Sequence, residues 1–137
     1  MELKDYWQNR DSKFRGEWTE AVRKAADDLI ERVNGLLTAL DYTPEIHPVM
    51  KSPVTSGWRP PSFNPLVQGA SPRSNHITGK AVDLYDPEGE LDELLLTAKG
   101  KKALESAGLW QEHPSATKGW CHLQSVPPKS GNRVFYP

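Results

Sequence analysis

Apolar residues recur at steps of three and four positions between Glu17 and Leu40, which predicts one long amphipathic helix, residues 17–40. The apolar stripe consists of Val22, Ala25, Ala26, Leu29, Ile30, Val33, Leu36, Leu37 and Leu40. Thr19 is suited to cap the start of the helix, and the turn residues that lead into Pro44 favour its end. Core packing is the simplest role for such a stripe. Residues 1–16, which mix aromatic and charged side chains, are expected to form a leading segment that lies over the domain.

Alternating patterns farther along the chain predict several short strands. We expect these strands at residues 53–58, 80–85, 120–126 and 133–136. Residues 44–72 are rich in Pro, Ser, Gly and Asn, so regular helix is not expected there. A second helix is predicted over residues 91–107, with Gly100 as a weak point and Gly108 suited to follow its last turn. Helices outside a small, mostly antiparallel sheet define an α+β domain.

Length and composition limit the possible functions. At 137 residues the chain is predicted to form one domain, residues 1–137. Seventeen Lys and Arg residues nearly balance eighteen Asp and Glu residues, and the net charge of −1 argues against a dedicated nucleic-acid-binding protein. The mean hydropathy of −0.66 and the lack of a long apolar run argue against a membrane span. The single cysteine, Cys121, cannot form an intrachain disulfide, which suits a reducing cytoplasm.

Two histidines and an aspartate supply the candidate chemistry. His76 and Asp83 flank Gly79, which permits a turn between them, and His122 follows far downstream in a predicted strand. Two imidazoles and one carboxylate leave the fourth position of a tetrahedral Zn²⁺ free for water. Such an ion lowers the pKa of the water from about 16 to about 7 and so makes a nucleophile at neutral pH. We therefore predict three zinc ligands within a metal-site region, residues 54–137, although each histidine could instead be an ordinary packed or turn residue.

Three ordered sequence blocks around these residues resemble those of a family of zinc peptidases. The blocks are Ser56-Gly57-Trp58-Arg59 followed by Asn64, then Ser74, His76, Gly79, Ala81 and Asp83, and last Trp120 and His122. They are similar to blocks in the D-alanyl-D-alanine carboxypeptidases and L-alanyl-D-glutamate endopeptidases of bacterial cell walls, whose fold is shared with the hedgehog signalling domain. The resemblance implies a zinc-dependent peptidase in which zinc-bound water attacks a peptide bond of the peptidoglycan stem.

The resemblance also suggests roles for residues around the metal. A guanidinium group can bind a carboxylate through two hydrogen bonds, so Arg59 is expected to bind a carboxylate of the stem peptide or to polarise the scissile carbonyl. The alternative for Arg59 is a structural contact between loops. Asn64 and Ser74 are expected to hold loop geometry or to bind substrate backbone rather than to react. Cys121 alternates with His122 along the predicted strand and should point into the core.

The chain departs from this family at the general base. These peptidases usually carry Glu or Asp about three residues before the last histidine, a position that Gly119 occupies here. Glu112, ten residues before His122, is the nearest upstream carboxylate and our candidate base, provided that a strand–loop–strand path returns it to the metal. The competing explanation is a surface carboxylate without a catalytic role. Gln124 shares a strand face with His122 and could donate a hydrogen bond, but it cannot act as a base.

Two functions of different classes follow from these patterns. The first is a zinc-dependent peptidase of peptidoglycan stems, and the alternative is a non-hydrolytic zinc-bearing module that binds the cell wall or belongs to a virion. The departure at Gly119 favours the alternative. Residues 1–5 do not begin a basic stretch followed by an apolar one, so no ordinary signal peptide is expected. Synthesis in the cytoplasm and a substrate in the cell wall are reconciled if the protein is a phage endolysin that is released late through membrane holes.

Overall fold

A computed structural model describes all residues, 1–137, and contains five α-helices and five short strands. Helices α1 to α5 span Leu3–Trp7, Arg10–Lys13, Glu20–Ala39, Glu90–Leu96 and Ala98–Ala107. Strands β1 to β5 span Val54–Ser56, Ala81–Asp86, Trp110–Glu112, Gly119–Gln124 and Val134–Phe135. Single 3₁₀ turns form at Asn64–Leu66 and Pro114–Ala116. The predicted α+β class is confirmed.

The five strands form one sheet in the order β1-β2-β4-β3-β5. All neighbouring pairs are antiparallel except β3 and β5, which run parallel. Side chains alternate between the two faces along β2, so Val82 and Leu84 join the hydrophobic core while Asp83 points away from it. The sheet therefore separates an apolar core on one face from a polar surface on the other.

Helix α3 contributes a large part of the core. Thr19 Oγ1 accepts a hydrogen bond from Val22 N at 3.2 Å, which confirms the predicted cap. The buried residues of the helix belong to the predicted apolar stripe: Ala26, Leu29, Ile30, Val33, Leu36 and Leu37. Full burial of one such aliphatic side chain contributes about 1.5–3 kcal/mol. No helix of the structure combines the length and the apolar character that crossing a membrane requires.

The prediction of a single helix over residues 91–107 is wrong, because the chain breaks at Thr97 into α4 and α5. Thr97 is extended (φ −71°, ψ 163°), and its hydroxyl caps α5 by accepting a hydrogen bond from Gly100 N at 3.1 Å. A Cβ built on Gly100 would lie 2.2 Å from the carbonyl oxygen of Leu94, so the two helices can meet closely only at a glycine. Gly108 follows α5 in the left-handed region (φ 67°), as predicted.

The N-terminal segment and β3 complete the frame of the site. Residues 1–16 form α1 and α2, and the buried Tyr6 of α1 donates its hydroxyl proton to the carbonyl of Ala81 at 2.8 Å. Strand β3 has no counterpart among the predicted strands. It lies between β4 and β5 in the sheet and brings Glu112 to the edge of the polar face.

Candidate metal centre and active site

Three polar side chains form a row across β2, β4 and β3. Asp83 of β2 pairs with His122 of β4, and Gln111 of β3 pairs with Leu123 of β4. Continuing the second register by one residue places Glu112 opposite His122. Because side chains alternate along each strand, Asp83, His122 and Glu112 point to the same side, whereas Gln111 and Leu123 are buried on the other.

His76 reaches this row from the loop that precedes β2. Lys80 N donates a hydrogen bond to the carbonyl of Asn75 at 2.9 Å and closes the turn. Gly79 has a φ of 77°, and a Cβ built on it would lie 2.7 Å from the carbonyl oxygen of Val22 in α3. The turn therefore needs glycine both for its backbone conformation and for its close approach to the helix.

The ligand atoms of His76, Asp83 and His122 converge. His76 Nε2 lies 3.4 Å from Asp83 Oδ2, and His122 Nδ1 lies 2.8 Å from Asp83 Oδ1. All three groups offer a ligand atom within 4.8 Å of the others. Two ligands of a tetrahedral zinc ion, each bound at about 2.0–2.1 Å, are about 3.3 Å apart, so these separations suit that ion. The three side chains are 4%, 10% and 12% exposed, in the same order.

A hydrogen bond on the far side of each imidazole decides which nitrogen faces the carboxylate. His76 Nδ1 lies 2.8 Å from the carbonyl oxygen of Gly57 and therefore carries the proton in the neutral ring. Gln124 Nε2 donates to the carbonyl of Val126 at 2.7 Å, so Gln124 Oε1 accepts a hydrogen bond from His122 Nε2 at 3.0 Å. Neutral rings then present His76 Nε2 and His122 Nδ1 as lone-pair donors beside a carboxylate. This donor set fits a zinc ion.

Electrostatics hold the central carboxylate in the state that a ligand requires. Burial raises the pKa of Asp83, but the imidazoles of His76 and His122 outweigh burial and bring that pKa well below its usual range. Burial lowers the pKa of His122, but the hydrogen bond and the charge of Asp83 outweigh it and leave the pKa above the usual histidine value. Asp83 therefore stays ionised, and protons and a cation compete for His122 Nδ1.

Glu112 and Arg59 border the ligand cluster. Glu112 Oε2 lies 4.0 Å from His122 Nδ1, and the Glu112 side chain is 19% exposed. Burial raises the pKa of Glu112 above its usual value, while His122 opposes that shift. Arg59 Nη2 lies 3.7 Å from Asp83 Oδ2, and Arg59 Nε donates to Ser56 Oγ at 3.2 Å. The guanidinium is thus anchored beside the cluster, with donors left for a substrate group.

The cluster opens into a cleft of about 330 Å³. Its walls include Arg59, Glu112, Trp120 (37% exposed) and the loop of residues 67–71. A cleft of this kind can accept a short peptide segment. The contribution of residues 67–71 to the cleft was not predicted from the sequence, because an irregular loop carries no periodic pattern that would place it beside the metal ligands.

Ser74 and Asn64, both predicted to hold loops or to bind substrate, occupy different places. Ser74 lines the cleft, and its Oγ accepts a hydrogen bond from His76 N at 3.2 Å. Asn64 is buried (3% exposed) outside the cleft lining, and its Nδ2 donates to the carbonyl of Ser71 at 2.9 Å. Asn64 is therefore placed to hold the loop. Cys121 is fully buried in the core, as predicted.

The backbone conformation at residue 119 favours the glycine that stands there. Gly119 has a φ of 99° where the chain enters β4, a region of backbone conformation that side-chain-bearing residues rarely adopt. The residues between Glu112 and Gly119 form a short loop that contains the 3₁₀ turn Pro114–Ala116. The carboxylate beside His122 is thus supplied by the neighbouring strand instead of by residue 119.

Comparison with known families identifies the class of protein. The family model of peptidase M15 matches residues 12–123, and the chain therefore belongs to the peptidase M15 family. This family comprises zinc-dependent peptidases of the D-Ala-D-Ala carboxypeptidase type that act on peptidoglycan, which confirms the resemblance seen in the sequence blocks. The protein is accordingly a metallopeptidase. No curated protein and no solved structure gave a match.

Proposed function

We propose that the protein hydrolyses a peptide bond in the stem peptides of peptidoglycan, with His76, Asp83 and His122 holding a catalytic zinc ion. The observation that carries the proposal is the convergence of two imidazole nitrogens and one carboxylate at the base of an open cleft. Zinc bound there would lower the pKa of a water molecule and polarise the scissile carbonyl. The hydrogen bonds from His76 to Gly57 and from His122 to Gln124 keep the ligand nitrogens aimed at that position.

Glu112 is the general base in this proposal. Its carboxylate lies beside the ligand nitrogen of His122, in the same row of side chains, and is partly shielded from solvent. In this position Glu112 takes a proton from the attacking water at a carboxylate oxygen and returns it to the departing amine nitrogen. Burial raises the pKa of Glu112, which is the direction that favours uptake of the proton by this carboxylate.

Arg59 binds the substrate. It is the cationic side chain of the cleft lining, and its contact with Ser56 fixes the guanidinium beside the metal ligands. Stem peptides of peptidoglycan present carboxylates near their scissile bonds, and a guanidinium binds such a group, or a polarised carbonyl, through charge-assisted hydrogen bonds. Removal of the guanidinium should therefore affect substrate turnover and not the metal.

The non-hydrolytic alternative has less support in the site than hydrolysis does. The reason for considering it was the lack of an acidic residue at position 119. The carboxylate of Glu112, 4.0 Å from His122 Nδ1, supplies an acidic group beside the cluster and removes that reason. Release as a phage endolysin is part of our proposal and rests on the resemblance alone.

The experiment that tests the function is the digestion of purified muropeptides by the zinc-loaded protein, with products identified by mass spectrometry. Free D-alanine from pentapeptide stems would identify a carboxypeptidase, and separation of L-alanine from D-glutamate would identify an endopeptidase. Chelation should stop either reaction and added zinc should restore it. A fully zinc-loaded protein that forms no product from any stem would refute hydrolysis and favour the cell-wall-binding module.

A further inference from the structure

We infer that Asp92 of α4, acting through Gln111 and Thr117, is a positioning residue that fixes Glu112 beside the metal centre. This inference rests on the proposed role of Glu112 as general base. Asp92 lies on the opposite side of the sheet from the cleft and is 2% exposed. It reaches the site through the backbone of β3 and not by contact with substrate or metal.

Asp92 binds both ends of the segment that carries Glu112. Its Oδ1 accepts a hydrogen bond from Gln111 Nε2 at 2.8 Å, and its backbone carbonyl accepts a second from the same nitrogen at 3.1 Å. Its Oδ2 accepts a hydrogen bond from Thr117 Oγ1 at 2.8 Å. Gln111 immediately precedes Glu112, and Thr117 ends the loop that leads into β4. The carboxylate of Asp92 therefore holds the residue that precedes Glu112 and also the residue that ends the loop between Glu112 and β4.

The burial of these polar groups lowers the stability of the fold, which is not expected if the cluster has only a structural role. A buried carboxylate without a cationic partner is unfavourable, and the neighbouring amide has an oxygen, Gln111 Oε1, without a hydrogen-bond partner. Apolar residues of similar volume would pack the same space without that cost. The hydrogen bonds do supply a fixed orientation for β3, a strand of only three residues. A fixed strand holds the Glu112 carboxylate in one place beside the cluster, and a misplacement of a catalytic group by about 1 Å can cost about 10²-fold in rate.

A double-mutant cycle tests the inference. Thr117→Val removes one hydroxyl from the cluster at nearly constant volume, Asp92→Leu removes the acceptor, and Asp92→Asn is the conservative variant. The asparagine can still accept from Gln111 and donate to Thr117, so it should retain most of the activity. Each change is made in the wild-type protein and in a Glu112→Gln background, and turnover, zinc content and hydrogen exchange of residues 109–118 are measured. Thr97→Val, which removes a helix-capping hydroxyl that makes no hydrogen bond to Asp92, Gln111 or Thr117, is the control.

We expect Thr117→Val to lower kcat roughly tenfold and Asp92→Leu up to about 10²-fold, with zinc content and KM little changed. In the Glu112→Gln background the same changes should have almost no further effect, because the base they position is already absent. Hydrogen exchange of residues 109–118 should increase in Asp92→Leu and not in Thr97→Val. If Asp92→Leu does not fold, the Thr117→Val and Asp92→Asn comparisons decide the matter.

The outcomes separate this inference from the proposed function. If the Asp92 and Thr117 variants lose the same factor of kcat in both backgrounds, or if Thr97→Val loses as much as they do, Asp92 has no positioning role. In that case a slow Glu112→Gln variant would still support Glu112 as the base. A wild-type rate for Glu112→Gln would overturn the base assignment and, with it, this inference.

Discussion

Replacing Glu112 with glutamine should slow hydrolysis strongly and leave the metal in place. The amide matches the carboxylate in size but cannot take up the proton, and general acid–base catalysis contributes about 10²–10⁴ in rate, or about 2.7–5.4 kcal/mol of activation free energy. Glu112 Oε2 lies 4.0 Å from His122 Nδ1, whereas Asp83 Oδ1 lies 2.8 Å from it, so Asp83 and not Glu112 is the carboxylate that we propose as a ligand. Glu112→Gln leaves all three proposed ligands in place, so the variant should remain loaded at saturating zinc.

The assay is steady-state turnover of a muropeptide at saturating zinc, with metal content measured on the same samples. Glu105→Gln, which neutralises an exposed carboxylate on α5, is the control for the change in net charge. A wild-type rate in Glu112→Gln would refute the base assignment. Loss of stoichiometric zinc from that variant would instead show that Glu112 is a metal ligand.

Three further predictions concern the groups around the base. Gln124→Leu removes the hydrogen bond that orients His122 and should lower zinc affinity about 10–100-fold in chelator competition; an unchanged affinity would show that this bond does not orient the ring. Arg59→Ala should keep its zinc and lose most of its kcat/KM, whereas unchanged turnover would leave Arg59 with only its loop contact. Asp83 raises the pKa of His122 in the metal-free protein, so zinc affinity should fall as the pH decreases through that pKa, because protons then occupy Nδ1. A titration between about pH 5 and 8 that shows constant affinity would count against histidine ligation.

The parts of the fold that the sequence predicts well depend on local signals. Helix α3 has a continuous apolar stripe and a capping threonine, Thr19, that accepts the expected hydrogen bond. Strands β2 and β4 were both expected from their residue patterns, and the alternation along β4 predicted that Cys121 points into the core. The break at Thr97 was not predicted, because it depends on the close approach of Gly100 to the end of α4, a contact that no periodicity reveals.

The residues of the candidate site also differ in how far local sequence signals predict them. Local motifs and their order around His76, Asp83 and His122 suggest the ligands, but Glu112 enters through β3, whose Trp-Gln-Glu sequence has no strand signature of its own. Its position depends on pairing with β4 and β5, which are distant along the chain. The burial of Asp92 could not be predicted either, because this residue lies within the acidic stretch 88–93. Such a stretch is typical of the exposed start of a helix, whereas Asp92 is buried.

Zinc stoichiometry in matched ligand variants tests the central claim most directly. The wild-type protein, loaded with Zn²⁺ and dialysed, should retain about one zinc per chain. His76→Ala, Asp83→Ala and His122→Ala should each retain far less under the same conditions, because two protein ligands remain where three are needed, while His47→Ala, a histidine outside the cluster, should match the wild type. An absence of zinc from the reconstituted wild-type protein, or full retention by any of the three ligand variants, would contradict the account of this site.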